Sequence, residues 1–392
     1  MNNIACFKVV IICSACWVLL VILLTLFTDN SVKTVFSVGL YNSSVSTAFE
    51  KKAMSVNSTL PDRTDVLLVA YMRTGSTFLG KVLGWRDDVF FWFEPLRKDR
   101  NWQYLRGNDL LCQDLKPACE ITASNQQKIA LRFLLDIFDC NLQPYDSMPT
   151  DINFKTELLP PSWFEYAKCK KSLNKSLTCN TALTNSCKKT KHRIAKVLRI
   201  DLEGTASLLE RNPRLKIVQL LRDPRAIMNS HLRTGWYGMN LKSHQQIEAD
   251  SIVLCSRLRN DILAGKSLMK LYPDRVRLLQ YEDFKNLDEK VQKLYKFLNM
   301  ELISQQNNIL QSLKEDNSLH AKMSSTNVKY ERHDGFHPFL FREQMDWVIA
   351  ETVHKHCGDV LRELGLRQFK TEEEYRDLTQ NVVIDKLPFE LM

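Results

Sequence analysis

Short apolar runs alternate with amphipathic stretches through most of the chain. Four of these runs predict buried strands, namely DVLLVAYM, RIAKVLRI, LKIVQLLR and RVRLLQY, and the apolar residues of FFWFEPL predict a further strand. Between them, the apolar spacing of STFLGKVLGW, QQKIALRFLLDIF, LEGTASLLER and the stretch from Ser243 to Lys270 predicts helices. Strands that alternate with helices are typical of a parallel sheet with helices on both faces. We therefore expect an α/β fold.

The N-terminus has a different pattern. Residues 9–27, VVIICSACWVLLVILLTLF, contain no charged side chain. A helix of that length, at about 1.5 Å per residue, can cross the hydrocarbon core of a bilayer. The sequence that follows, FTDNSVK, has no clear cleavage site, which favours a single transmembrane signal anchor over the alternative of a cleaved signal peptide. Lys8 favours a cytosolic N-terminus, so the rest of the chain is expected on the lumenal side.

The composition after this span indicates three further segments. Residues 28–63 are rich in Ser, Thr, Asn and Val with little periodicity, and they predict a lumenal stem that follows a cytosolic tail at 1–8. The alternating strand and helix pattern predicts one domain at 64–370. Residues 371–392 are expected to form a C-terminal tail.

Sequons and cysteines indicate a secretory compartment. N-x-[ST] sequons predict glycosylation at Asn42, Asn57 and Asn174. An even number of cysteines after the anchor predicts disulfides, with many pairings possible. These cysteines are Cys112, Cys119, Cys140, Cys169, Cys179, Cys187, Cys255 and Cys357. No C-x-x-C pair occurs outside the anchor, so we expect no metal site.

The turn after the first predicted strand has the features of an anion site. In RTGSTF, Gly75 lets the backbone approach a phosphate, and a helix beginning near Ser76 would direct N–H groups at it. The hydroxyls of Thr74, Ser76 and Thr77 add donors, with helix capping as their alternative role. Arg73 can bind two oxygens at once. The stretch lacks the lysine of the nucleotide-hydrolysing phosphate loop, G-x-x-x-x-G-K-[ST].

A second anion motif follows the strand LKIVQLL. In RDPRAIMNS, Arg222 stands at the strand end and Ser230 lies eight residues later in a helix, with Pro224 in its first turn. Together they predict a second phosphate clamp. Arg225 belongs to the same motif, and a local ion pair with Asp223 is its alternative role. Both motifs fall at carboxyl ends of strands, where parallel sheets bind ligands.

With these motifs in place, the chain resembles the Golgi carbohydrate sulfotransferases that sulfate the 6-hydroxyl of Gal, GalNAc or GlcNAc, a group that includes chondroitin 6-sulfotransferases. The matching stretches are RTGSTFLG, FEPL, LRDPRAIMNS, LCSRLRNDI and YEDF, within roughly residues 65 to 366. The resemblance implies the sulfotransferase fold, a P-loop-like parallel sheet, in a type II Golgi membrane protein. It also implies 3′-phosphoadenylyl sulfate as the donor, with no metal.

The resemblance assigns roles to both motifs. Residues 73–78 would hold the 5′-phosphosulfate, and Phe78 would stack on adenine. Arg222 and Ser230, with Arg225 in the same group of contacts, would hold the 3′-phosphate. Arg73 would stabilise charge on the bridging oxygen as its bond to sulfur breaks.

Sulfate transfer also needs a base for the acceptor hydroxyl. Glu94, in FFWFEPL, is the expected base, because some heparan sulfotransferases have a catalytic glutamate in a similar context. Its apolar neighbours are expected to raise its basicity. Orienting Arg73 or binding the sugar is the alternative role of Glu94. Near the C-terminus, the resemblance places Tyr330 and Arg332 as substitutes for a tryptophan and an arginine of the family. His333 and His337 are either contacts for the acceptor or, as the favoured alternative, surface histidines.

Charge adds one indication about the acceptor. The net charge is +9, and ten Lys or Arg but no Asp or Glu lie between Tyr166 and Ile200. This basic insertion predicts either a solvated, disulfide-linked surface or a wall that attracts an anionic glycan. A membrane partner is expected through the anchor, and nucleic acid is not. A sugar kinase and a catalytically silent glycan-binding protein remain the alternative functions.

Overall fold

A computed structural model describes residues 63–96, 123–143, 159–173, 176–234, 243–315 and 338–391. Several predicted features lie outside these ranges. They are the cytosolic tail, the transmembrane segment, nearly all of the stem and all three sequons. Cys112 and Cys119 also lie outside, together with Tyr330, Arg332, His333 and His337. Within the described ranges, no helix has the length and apolar character needed to cross a bilayer.

Five parallel strands form the sheet. They are β1 (Asp65–Ala70), β2 (Val89–Phe93), β3 (His192–Val197), β4 (Leu215–Leu221) and β5 (Val276–Gln280), in the order β2-β3-β1-β4-β5. All five correspond to predicted strands. Because the strands are buried, β1, β2 and most of β4 are apolar runs rather than alternating patterns, whereas β3 and β5 also contain basic side chains.

Twelve α-helices lie in the described ranges. They are α1 (Ser76–Gly84), α2 (Ala123–Phe138), α3 (Phe164–Leu173), α4 (Ser176–Lys189), α5 (Ala206–Arg211), α6 (Pro224–Thr234), α7 (His244–Leu271), α8 (Leu287–Leu298), α9 (Ser304–Glu315), α10 (Phe341–Gln344), α11 (Trp347–Glu363) and α12 (Glu372–Arg376). Short 3-10 turns occupy Pro161–Trp163, Glu203–Thr205 and Tyr281–Lys285. The predicted helices correspond to α1, α2, α5 and α7. The parallel sheet with helices on both faces is therefore confirmed.

The strand order creates a ligand site at a defined place. From β1 the chain continues to β2 and β3 on one side of the sheet, and then to β4 and β5 on the other. The order reverses beside β1, and ligands of open parallel sheets bind at the carboxyl ends of strands at such a point. The RTGSTF turn follows β1 and the RDPRAIMNS motif follows β4, so both anion motifs meet there.

Three disulfides connect the described elements, which confirms the expectation from cysteine usage. They are Cys140–Cys187, Cys169–Cys179 and Cys255–Cys357. The second joins α3 to α4, and the third joins the long helix α7 to α11. The basic insertion is thus largely a disulfide-linked pair of helices.

The segment expected as a C-terminal tail, 371–392, is instead packed on the domain as far as it is described. Tyr375, Phe389 and Leu391 are buried. Arg342 donates hydrogen bonds to several backbone carbonyls between Glu374 and Gln380. The fold therefore continues past residue 370, because apolar side chains and a buried arginine join this segment to the core.

Candidate active site

The backbone conformation of the turn between β1 and α1 leaves the first N–H groups of the helix without a side-chain cap. Gly75 is the N-cap of α1 with φ of 87°, and no side chain caps the helix there. The first backbone bond of the helix runs from Leu79 N–H to the Gly75 carbonyl at 3.1 Å. The N–H groups of the preceding residues therefore precede the helical hydrogen-bond ladder and can bind an anion.

Tyr281 fixes the position of this turn. A Cβ atom on Gly75 would overlap the Tyr281 ring, so the glycine is required by close packing as well as by its positive φ. The guanidinium carbon of Arg222 lies 4.5 Å from the centroid of the same ring. Tyr281 thus lies against both anion motifs, a role that the YEDF stretch alone did not predict.

The two anion motifs are in direct contact. Arg73 Nε donates a hydrogen bond to Ser230 Oγ at 2.7 Å, although the two residues are 157 positions apart. Arg222 Nη1 donates to the Arg73 carbonyl at 2.8 Å. The residues thus form one cationic site at the ends of β1 and β4.

The side chains fit an anionic ligand such as a phosphate. Arg222 Nε is buried and has no hydrogen-bond partner within the described ranges. A charged donor of this kind is costly to bury unless a ligand accepts its hydrogen bond. Within the same ranges, no group of three His, Cys, Asp or Glu side chains could hold a metal ion.

Glu282 lies beneath the second motif. Its Oε1 accepts the Asp223 N–H at 2.9 Å, directly beside Arg222 in the chain. Burial, with a further contribution from the charge of Asp223, raises the pKa of Glu282 to about 7. The YEDF motif therefore supports the arginine-bearing loop from behind.

Arg225 lies in the interior, and the ion-pair alternative describes its position. Its guanidinium is fully buried and bonds both oxygens of Asp223. Its Nη1 also contacts His354 Nε2 at 3.0 Å and donates to the Arg367 carbonyl at 2.8 Å. Burial, followed by the charge of Arg225, lowers the pKa of His354 to about 4. The expected contact between Arg225 and the nucleotide is therefore not supported.

Phe78 and Thr74 also differ from expectation. The Phe78 ring is 7% exposed and meets Phe284 edge to face, so it belongs to the core and offers little surface for adenine. Thr74 is fully buried, and its hydroxyl donates to the Tyr71 carbonyl at 2.8 Å. Ser76 is buried and Thr77 is partly exposed.

Glu94 follows β2 and lies between two cations. Its Oε1 is 2.7 Å from Lys196 Nζ, and its Oε2 is 3.3 Å from Arg199 Nη1. Phe93, Trp92 and the other apolar residues of β2 do adjoin it, but the predicted apolar surrounding of the carboxylate is incomplete. Each oxygen of the carboxylate therefore has a cationic partner.

Two of these site residues adopt left-handed backbone conformations. Arg73 has φ of 71° and Glu94 has φ of 50°. Such conformations are uncommon outside glycine and concentrate at functional sites. The positive φ values therefore support a functional role for both positions.

The sequence did not identify Lys196 and Arg199 as site residues. Lys196 is 1% exposed in the middle of the apolar run RIAKVLRI. A lysine is almost never fully buried without a partner, so its place in a predicted strand was the available signal. Three basic residues of the insertion, Arg193 being the third, thus lie inside the protein rather than on its surface.

The LCSRLRNDI stretch supports the end of β1. Asp261 accepts the Tyr71 hydroxyl at 2.5 Å and the Leu202 N–H at 2.8 Å. Burial raises the pKa of Asp261 to about 6. Because Tyr71 is two residues before Arg73, this buried pair fixes the strand end from which the anion turn begins.

Comparisons with known proteins agree with this geometry. Residues 63–365 match the sulfotransferase domain family. Carbohydrate sulfotransferase 1 of Danio rerio is 24% identical over 363 residues, which cover 83% of this chain and 84% of the relative. Carbohydrate sulfotransferase 5 of Mus musculus is 24% identical over 83% of this chain and 87% of the relative. Carbohydrate sulfotransferase 3 of Mus musculus is 23% identical over 78% and 68%.

Solved structures with similarity include the sulfotransferase domain of the Synechococcus PCC 7002 olefin synthase, with 16% identity, a TM-score of 0.32 and coverage of 65% of this chain and 80% of that one. Sulfotransferase STF9 from Mycobacterium avium gives 12% identity, a TM-score of 0.36 and coverage of 80% and 79%. The family match, which covers most of the chain, implies a 3′-phosphoadenylyl sulfate donor and favours sulfate transfer over the alternative of a sugar kinase. The chain therefore belongs to the sulfotransferase family, and the relatives that it resembles over most of its length are carbohydrate sulfotransferases.

Proposed function

We propose that this enzyme transfers sulfate from 3′-phosphoadenylyl sulfate to the 6-hydroxyl of a Gal, GalNAc or GlcNAc residue in a glycan. The contact between Arg73 and Ser230 is the observation that carries the proposal, because it joins the two anion motifs into one site. A donor with phosphate groups at its 5′ and 3′ positions needs such a pair of motifs. The names of the relatives support a carbohydrate acceptor.

Each side of the site has its own task. The turn at residues 73–78 binds the phosphosulfate end through backbone N–H groups and Arg73. Arg222 and Ser230 bind the 3′-phosphate. Phe78 and Arg225 act by supporting these residues from the core, which agrees with their burial.

The reaction requires one bond to form and one to break. The acceptor oxygen bonds to sulfur, while the bond from sulfur to the bridging oxygen of the donor breaks. The hydroxyl proton passes to Glu94, and Arg73 stabilises the charge that remains on the leaving phosphate. Glu94 stands at the carboxyl end of β2, with Lys196 and Arg199 at 2.7 and 3.3 Å from its two oxygens.

We place this activity in the Golgi lumen, with the chain anchored by residues 9–27. The disulfides of the described domain support an oxidising compartment. Lys168, Lys171, Lys188 and Lys189 lie exposed on the α3–α4 pair, and this charge supports an anionic acceptor such as a chondroitin or keratan chain.

The test is sulfate transfer by the purified full-length chain. The protein is incubated with sulfur-labelled donor and desulfated chondroitin, desulfated keratan or GlcNAc-terminated oligosaccharides, and the labelled position is mapped after digestion. We expect label on the 6-hydroxyl of one acceptor. Glu94→Gln should lower turnover about 10²–10⁴-fold, and Arg73→Met about 10²–10³-fold.

Binding measurements separate the remaining possibilities. Glu94→Gln should retain the affinity of the wild type for adenosine 3′,5′-bisphosphate. A protein that ignores this nucleotide, or that prefers ATP, would contradict the proposal. Tight nucleotide binding without transfer to any acceptor would favour a catalytically silent glycan-binding protein instead.

A further inference from the structure

The ion cluster around Glu94 extends to residues that no motif includes. Lys196 on β3 and Arg199 on the segment after β3 face the two carboxylate oxygens, at 2.7 and 3.3 Å. All three side chains are nearly buried, with exposed fractions of 9% for Glu94, 1% for Lys196 and 8% for Arg199. Charges this well shielded from water interact strongly.

The register of the sheet brings this cluster together. Phe93, the last residue of β2, is the lateral partner of Lys196 on β3. The Glu94 N–H donates to the Lys196 carbonyl at 2.8 Å, so the backbones remain joined one residue past the strand. Residues 94 and 196 are therefore fixed to each other through both main chain and side chain.

Lys196 has little freedom to move. Its Nζ lies 4.0 Å from the centroid of the Phe93 ring. Its Cδ lies 3.7 Å from the place that a Cβ atom on Gly80 would occupy, so the lysine stem packs near α1. Because α1 is the helix that begins at the anion turn, Lys196 connects that helix with Glu94.

We propose that Lys196 and Arg199 are positioning residues that keep Glu94 ionised and oriented for proton transfer. This inference rests on the proposed function, in which Glu94 accepts the hydroxyl proton. A carboxylate must be deprotonated before it can act as a base, and two adjacent cations maintain that state as the pH falls. The same cations lower the intrinsic basicity of Glu94. The cluster therefore extends activity toward acidic pH rather than maximising the rate at high pH.

The experiment measures kcat against pH for the full-length wild type, Lys196→Met and Lys196→Arg. Without the lysine cation, the carboxylate takes up a proton more readily, so the acidic limb should move to higher pH by about one unit. We expect the Lys196→Met rate to be roughly tenfold lower near the acidic limb and to recover partly at alkaline pH. Lys196→Arg should stay within about threefold of the wild type because it keeps the charge.

A second background tests whether Lys196 acts through Glu94. In Glu94→Gln protein the carboxylate is gone, so adding Lys196→Met should lower the remaining rate less than about twofold. Arg199→Met offers an independent variant, with a smaller displacement of the acidic limb in the same direction. Nucleotide affinity and the melting temperature are measured for every variant, so that loss of folding is recognised.

Lys216→Met is the matched control. Lys216 is also a buried lysine on a strand, near the start of β4, and it donates to the Phe297 carbonyl. Lys216→Met should leave the dependence of kcat on pH unchanged. Suppose that the wild type is active but Lys196→Met lowers the rate equally at every pH, or by the same factor with and without Glu94. Either result would overturn this inference and leave the proposed function standing. Absence of transfer by the wild type would overturn the proposed function, and this inference with it.

Discussion

Two glutamates follow the two outermost strands of the sheet, and their surroundings are opposite. Glu94, after β2, contacts Lys196 and Arg199. Glu282, after β5, is buried with a carboxylate, Asp223, as a nearby charge, and its Oε2 has no hydrogen-bond partner within the described ranges. The first contacts a cation through each carboxylate oxygen, whereas burial raises the pKa of the second to about 7.

The difference shows that position in a fold does not determine the chemistry of a residue. Both glutamates occupy the carboxyl edge of the sheet, and both stand in a short motif. Glu94 receives one cation from β3, Lys196, and a second from the segment after β3, Arg199. Glu282 receives a backbone N–H from Asp223 and supports the loop that carries Arg222. In the proposed reaction, one edge serves proton transfer and the other holds the nucleotide.

Gly75→Ala should have the largest effect, on the nucleotide-holding edge. The substitution combines a left-handed backbone, φ 87°, with overlap on the Tyr281 ring. Strain and overpacking together cost about 3 kcal/mol, so affinity for adenosine 3′,5′-bisphosphate should fall about 100-fold. Gly358→Ala is the control, since a Cβ there meets the flexible end of Gln368 at 2.6 Å. Equal affinities for both variants in a calorimetric titration would contradict this prediction.

Glu282→Gln should change how stability depends on pH. The ordinary carboxyl pKa is 4.5 and the folded value is about 7. Between these values the unfolded chain loses the proton that the folded chain retains, so wild-type stability falls as pH rises. Glu282→Gln has no such proton to lose. Its free energy of unfolding, relative to that of the wild type, should therefore rise by up to about 3 kcal/mol between pH 4.5 and 7.

Denaturant unfolding at several pH values measures this difference. Glu289→Gln is the control, because Lys293 lowers the pKa of that exposed carboxyl and no such rise is expected. Wild-type and Glu282→Gln stabilities that run parallel from pH 4.5 to 7 would show that Glu282 is already charged in the folded protein.

Arg222→Met should weaken nucleotide binding while leaving the Glu94 cluster intact. A charge-assisted hydrogen bond contributes about 2 kcal/mol, so the dissociation constant should rise roughly 30-fold. Arg132→Met removes a guanidinium that is 67% exposed on α2 and serves as the control. If Arg222→Met lowers turnover at saturating donor by a larger factor than it lowers nucleotide affinity, the proposed division of tasks between the two edges of the sheet is wrong.

Phe78→Leu should have the smallest effect on binding. The ring is 7% exposed and packs on Phe284, so affinity for the nucleotide should change less than about threefold. Phe284→Leu, its packing partner, should lower the melting temperature to a similar extent. A tenfold loss of affinity in Phe78→Leu alone would instead support stacking on adenine, which contributes about 1–3 kcal/mol per base.

Much of the fold follows from local patterns in the sequence. The strands were predictable because the sheet is covered on both faces, so most strand positions are apolar. The anion site was predictable because Arg73 and Gly75, like Arg222 and Ser230, lie within single short motifs. Pro224 at the first position of α6 follows the same local logic.

Contacts between distant segments were not predictable in this way. The pairing of Lys196 with Glu94 joins positions 102 residues apart and depends on the register of β2 against β3. The apolar neighbours of Glu94 in the chain suggested a poorly solvated carboxylate, but β3 and the segment after it supply two cations. Phe78 and Arg225 lie in motifs that were predicted to contact the donor, yet both side chains are buried in the core.

The last described residues complete the nucleotide-holding edge. Phe389 N–H donates to Gln280 Oε1 at 3.2 Å, and Leu391 N–H donates to Asp283 Oδ2 at 2.9 Å, across 109 and 108 positions of the chain. Translation proceeds at about 5–20 residues per second, so the ribosome makes these partners roughly 5–20 s after β5. These two contacts can therefore form only after residues 389–391 have left the ribosomal tunnel, well after all five strands of the sheet have been synthesised.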